Sequence, residues 1–135
     1  MEPDDLVLRF IGAINRHAGD DIAALLTDDH LFIDSLGVEV SGRDAMRRGW
    51  AAYFSMVPDY TIEAVQTLSA GDTVVVIGTA TGSYSPGGAP LAEDRWSMPA
   101  AWRAVVKGDR IAVWQVFADN EPIRRLMRKH GRDPG

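Results

Sequence analysis

The chain contains no cysteine. Disulfide frameworks, thiolate metal sites and cysteine nucleophiles are therefore excluded, while the redox compartment stays open. No apolar run approaches the roughly 18 residues that cross a bilayer, and the opening MEPDDLVLRF is acidic where a secretory signal is basic. A soluble, cytoplasmic protein with no membrane partner is expected. Basic residues are also in deficit: 14 Lys and Arg stand against 19 Asp and Glu, a net charge of -5. A nucleic-acid partner is not expected, because such binders carry a basic footprint.

Histidine is scarce, with three in 135 residues. The sequence has no glycine-rich phosphate loop, no G-x-S-x-G elbow, no H-E-x-x-H and no cluster with metal-ligand spacing. Neither a cofactor nor a metal is called for. His17 at a helix end and His130 near the tail read as solvated, which leaves His30 as the one histidine on a strand face. Internal repeats and low-complexity segments are absent as well, and the length suits a single domain over residues 1–135 with a continuous core.

What is present is a succession of periodic segments. Leu6, Phe10, Ala13 and Ile14 form the apolar stripe of a helix over residues 4 to 17. Asp20 or Asp21 reads as the cap of a short second helix carrying Ile22, Leu25 and Leu26. A strand follows in HLFIDSLG, with a turn at residues 35 to 37 leading into VEVSG as a small hairpin. From Gly42 the period is helical again: Met46, Gly49, Trp50, Tyr53 and Val57 share a face until Pro58 stops the helix.

Strands are then expected over residues 60 to 68, 73 to 84, 93 to 107 and 110 to 118, divided by AGD, SPGGAPLA and KGDR. Pro99 cannot donate to a sheet ladder, so a bulge, bend or edge is expected there. DNEP reads as cap plus early proline for a last helix to about residue 130. Residues 120 to 135 are locally basic, with Arg124, Arg125, Arg128, Lys129 and Arg132 against Glu121 and Asp133. Their simplest reading is a solvated helix whose cations suit the negative end of its dipole. Helices first and a mostly antiparallel sheet after them make an α+β fold.

Strand alternation sorts the side chains. Trp96, Met98, Ala100, Trp102 and Ala104 fall on one face and are expected inside. In the preceding strand the inward set Val76, Gly78, Ala80, Gly82 and Tyr84 is small, so either a helix approaches closely or empty volume remains. His30, Phe32 and Asp34 share one side of the first strand. His30 and Asp34 are about 13 Å apart along it, too far for a dyad but suited to two ends of one cavity. Asp34 also precedes Ser-Leu-Gly, so a turn-forming role competes with a chemical one.

The element order, together with LLTDDHLFIDSLG, GRDAMRRGWAAYF, VPDY and IAVWQVFADNEPI, resembles the SnoaL-like branch of the nuclear transport factor 2-like superfamily over about residues 5 to 130. That resemblance implies a cone-shaped, curved, mostly antiparallel sheet wrapped around N-terminal helices, with an apolar cavity and homodimerisation through the outer sheet face. Function is less determined, since the superfamily spans isomerases, cyclases, dehydratases, epoxide hydrolases and non-catalytic modules. Laid on the ketosteroid isomerase pattern, the general-base aspartate falls on Asp34, but the oxyanion tyrosine falls on Phe10 and the proton-donating aspartate at about Ala100. The acid/base carboxylate of limonene epoxide hydrolases falls near Val116, and Asp119, three residues on, reads better as a helix cap.

The reading that results is a cofactor-independent enzyme for a small hydrophobic carbonyl or epoxide compound. Asp34 acts as general acid/base with His30 and Tyr53 beside it. Phe10, Phe32 and Trp50 from the first half of the chain and Tyr84, Trp96, Met98, Ala100, Trp102, Trp114 and Val116 from the sheet supply the binding surface. A non-catalytic ligand-binding or dimeric interaction module of the same fold is the alternative.

Overall fold

Helix α1 (Pro3–Asn15) opens the chain with proline in its first turn and Asp4 and Asp5 at the positive end of its dipole. The predicted stripe is wider than expected, because Val7 and Ile11 join Leu6, Phe10, Ala13 and Ile14 in the core. The aliphatic and aromatic side chains among them contribute about 1.5–3 kcal/mol each on leaving water, before entropy is counted. The helix ends at His17, whose φ of 54° places a non-glycine residue in the left-handed region. The Ala18 N–H reaches back to the Ala13 carbonyl at 3.0 Å and that of His17 to Ile14 at 2.9 Å. The side chain rewards the strain: Nε2–H donates to the Tyr60 carbonyl at 2.8 Å, and the ring stacks on Phe54 at 4.2 Å. His17 is thus a structural tie, and the solvated role expected for it is corrected.

The structure, a computed structural model, describes residues 2–87 and 92–131. After α1 come α2 (Gly19–Ala24), β1 (Leu26–Ile33), β2 (Glu39–Ser41), α3 (Arg43–Met56), β3 (Thr61–Ala70), β4 (Thr73–Ser83), a 3-10 turn (Ala92–Asp94), β5 (Arg95–Lys107), β6 (Arg110–Ala118) and α4 (Glu121–Lys129). The tip of the β4–β5 connection, residues 88 to 91, and the tail with Arg132 and Asp133 lie outside the described residues. Asp20 and Asp21 do not cap α2 but sit in its first turn, where their charge suits the dipole.

The strands form one curved sheet in the order β2-β1-β6-β5-β4-β3. Five neighbouring pairs make it; four are antiparallel and β1 runs parallel to β6, so the sheet is mixed. The parallel pair closes a crossover that contains everything from β2 to β5, and it sets the end of β1 beside Val116. Helices α1 and α3 fill the concave side, giving the cone-shaped α+β architecture expected from the resemblance.

β5 bears out the alternation argument residue by residue, since Trp96, Met98, Ala100, Trp102 and Ala104 are all buried. Pro99 pairs with Thr79 on one side, while β6 ends opposite Ala100 on the other. It therefore occupies a local edge, where its missing N–H has no ladder to break. In β4 close approach and empty volume both occur, at different positions, but what approaches is strand β3 and the residue after α3 rather than the helix expected. A Cβ on Gly78 would lie 1.9 Å from the Glu63 carbonyl oxygen, and one on Gly82 would lie 2.4 Å from Val57 Cγ1. Close approach explains the glycines; Ala80 between them faces open volume.

Candidate active site

That volume is a cavity of about 480 Å³ inside the cone. Ala80, Trp96, Met98, Ala100 and Trp102 form its sheet wall with Trp114, Val116 and Ala118 of β6. The wall opposite is the predicted face of α3, with Met46, Gly49, Trp50, Tyr53 and Met56 three or four residues apart. Phe32 and the turn after β1 close one side, and Ile123, Arg124 and Met127 of α4 lie over another. All four tryptophans of the chain line the cavity. Its size is that of a small-molecule site, and an aromatic lining with few polar groups is the usual composition of one.

Two lining residues are charged, Asp34 and Arg124. Asp34 follows β1 and organises the turn to β2. Its N–H donates to the Val38 carbonyl at 2.9 Å, and Oδ1 accepts the N–H groups of Leu36 and Val38, both at 2.9 Å. Gly37 completes the turn with φ 85°, a value suited to glycine. Turn-forming and cavity-facing roles therefore coexist: one oxygen is held by backbone, and Oδ2 has no hydrogen-bond partner among the described residues. The backbone bonds fix the orientation of the carboxylate. A fixed acceptor at an apolar surface is what proton transfer to or from a bound carbon acid requires.

Donors are provided mainly by aromatic side chains. The rings of Tyr53 and Tyr60 meet edge to face at 5.0 Å, and both line the cavity. Burial pushes both phenol pKa values up, so each remains a proton donor at neutral pH. The indole Nε1 of Trp96 is buried without a hydrogen-bond partner among the described residues. Such a donor is costly to leave unmade, but the nitrogen presents no surface to the cavity, so it is not a group a ligand meets there.

Helix α4 bridges the turn and the far end of the sheet. At its start the Glu121 N–H donates to Asp119 Oδ1 at 3.0 Å, but the N-cap residue is Asn120 and no side chain caps the helix there, so Asp119 stands one residue before the cap position expected for it. Asn120 Nδ2 donates to Ser35 Oγ, tying the helix to the Asp34 turn. At its end Lys129 Nζ donates to Asp94 Oδ1 at 3.0 Å, and His130 Nε2 lies 3.3 Å from Asp94 Oδ2. The Lys129 hydrogen bond, with His130 behind it, holds the Asp94 carboxyl below the usual carboxylate range. The helix is therefore docked rather than simply solvated, a correction to the expectation, and His130 is paired as well.

Of the predicted site residues, Asp34 and Tyr53 come together in the cavity with Phe32, Trp50, Trp96, Met98, Ala100, Trp102, Trp114 and Val116. Three others lie elsewhere. His30 is buried with Nδ1–H donating to the Ile111 carbonyl at 2.8 Å, which assigns the proton to Nδ1. Burial lowers its pKa and keeps it neutral, so it serves the core. Phe10 packs edge-on against Trp114 at 4.9 Å, under the cavity wall. Tyr84 is buried beyond the wall with its ring 5.6 Å from that of His130. Tyr60, Arg124, Ile123, Met127 and Asn120 were not anticipated. The spacing of Ile123, Leu126 and Met127 was the available sign that α4 has an apolar side.

Among the described residues no group of three or more His, Asp or Glu side chains could hold a metal ion, and no helix is long and apolar enough to cross a membrane.

The SnoaL-like domain family model matches residues 7–114. No curated protein matches the chain. Among solved structures, it is similar to one from Shewanella denitrificans OS-217 assigned to the SnoaL-like polyketide cyclases, at 15% identity over 94% of this chain and 97% of that one, with a TM-score of 0.80. An NTF2-like protein from Burkholderia thailandensis E264 superposes with a TM-score of 0.78 at 19% identity, covering 94% and 98% of the two chains. A protein of ketosteroid isomerase-like fold from Catenulispora acidiphila DSM 44928, solved in complex with trimethylamine, does so with a TM-score of 0.76 at 19% identity, covering 95% and 93%. At such identities the likeness is one of fold.

Proposed function

The chain belongs to the SnoaL-like domain family, and from that premise we propose that it is a cofactor-independent enzyme in which Asp34 moves a proton on a small, flat, mostly apolar carbonyl compound. The observation that carries the reading is the state of Asp34: it lines the cavity, its Oδ1 is held by two backbone N–H groups, and its Oδ2 is left to a ligand.

In the proposed step Oδ2 takes a proton from the carbon next to the carbonyl, and the electron pair moves onto the carbonyl oxygen. Return of the proton to another carbon gives isomerisation; attack of the enolate carbon on a second carbonyl gives cyclisation. The oxyanion needs donors, each worth roughly 3–4 kcal/mol in a dry site. The family positions for them are Phe10 and Ala100 here, so the Tyr53 and Tyr60 hydroxyls are the groups we assign to that task. Epoxide opening is the related reaction in which the same carboxylate activates water.

A second reading, a binding module that holds its ligand unchanged, is favoured by the aromatic lining, which suits shape recognition without chemistry. Mass spectrometry of the co-purifying ligand, incubated with wild type and with Asp34→Asn, separates the two. Conversion by wild type alone supports the enzyme; an unaltered ligand with both proteins supports the module.

A further inference from the structure

Four described cations lie on α4, and three are neutralised locally. Arg125 and Arg128 lie 3.5 and 2.5 Å from Glu121 Oε1, and Lys129 pairs with Asp94. Arg124 makes no ion pair among the described residues, is half-buried and lines the cavity. Helix electrostatics does not account for it either. The residue lies one turn from the start of α4, at the positive end of the dipole, where a cation is disfavoured. The reasoning that suits Arg128 and Lys129 at the other end fails here.

We propose that the ligand of this cavity is a flat, mostly apolar carboxylate, with its apolar body among the tryptophans and its carboxylate on Arg124. This rests on the reading of the cavity as a small-molecule site. A guanidinium matches a planar carboxylate with two parallel hydrogen bonds, and the same helix terminus that disfavours the cation favours the anion. Ser35 strengthens the assignment. Its Oγ accepts from Asn120 Nδ2, so its hydroxyl hydrogen remains to be donated, and both residues line the cavity, with Asn120 one helical turn before Arg124. Asp34, the other charge, repels the carboxylate, so the ligand is oriented with its anion at Arg124 and its uncharged carbon acid toward Asp34.

Three probes sharing one ring system test this: 2-naphthoate, its methyl ester and (2-naphthylmethyl)ammonium, titrated at neutral pH and low salt against tryptophan fluorescence. Every tryptophan borders the cavity, so occupancy is read directly. The ester should bind, which tests the cavity itself. Naphthoate should bind tighter than the ester by up to about fivefold, the upper range for a partly exposed ion pair. Arg124→Gln should bring that ratio to about one, and Arg124→Lys should keep part of it. Equal binding of acid and ester by wild type, a preference that survives Arg124→Gln, or tightest binding of the ammonium probe would overturn the assignment. If neither the ester nor naphthoate binds, the small-molecule reading fails and the assignment falls with it.

Discussion

Replacing Asp34 by asparagine and by alanine should separate the two jobs of this side chain. In the folded protein Oδ1 accepts the Leu36 and Val38 N–H groups. Asparagine keeps an oxygen at that position and places its NH₂ where Oδ2 stands, so the turn survives while the base is lost. Alanine removes the acceptor from both donors. A net hydrogen bond is worth about 0.5–1.5 kcal/mol, and at a turn near solvent the lower part of that range applies. Asp34→Ala should therefore cost about 1–2 kcal/mol. For a chain of this size each kcal/mol lowers Tm by about 4 °C, giving a fall of about 4–8 °C. Asp34→Asn should stay within about 2 °C of wild type and should still bind a flat ketone by tryptophan quenching. Thermal unfolding followed by circular dichroism measures both. Equal destabilisation of the two variants would show that the backbone bonds do not hold the carboxylate, and the fixed-base argument would collapse.

Gly78→Ala places a methyl group 1.9 Å from the Glu63 carbonyl oxygen, with backbone rather than a movable side chain opposing it. We expect at least about 2 kcal/mol of destabilisation in chemical denaturation, and an unchanged midpoint would mean that β3 does not approach there. His30 has its pKa lowered by burial, so the unfolded chain binds its proton first as pH falls. The stability that neutral His30 contributes is complete above about pH 6.5 and is lost as pH drops toward the folded-state value. His30→Gln, which can still donate to the Ile111 carbonyl, should show a smaller drop in Tm between about pH 7 and pH 5 than wild type does. Parallel curves would contradict the buried, neutral assignment.

The elements that were legible in advance are those whose burial repeats at a local period. The stripe of α1, the cavity face of α3 and the alternation of β5 are carried by residues a few positions apart, and all three reappear in the structure. Asp34 could be placed because it shares a strand face with Phe32. The parallel pairing of β1 with β6 could not, since no local period records which strand a distant strand will meet. Arg124 escaped notice because a basic helix is usually a solvated one; only the docking of α4 onto Asp94 and Ser35 turns it toward the cavity. His17 and His30 illustrate the same limit. Each bonds a carbonyl more than 40 residues away, and nothing in the neighbouring residues announces such a partner.

The central claim is that Asp34 abstracts a proton from a bound carbon acid, and 2-tetralone, flat, apolar and enolisable, tests it without knowledge of the natural substrate. In deuterium oxide, proton NMR follows the loss of the signal from the carbon between ring and carbonyl. Wild type should accelerate that exchange over buffer, and Asp34→Asn should lose about a hundredfold of the acceleration or more while still quenching on ketone binding. Exchange at the wild-type rate in Asp34→Asn would contradict the account.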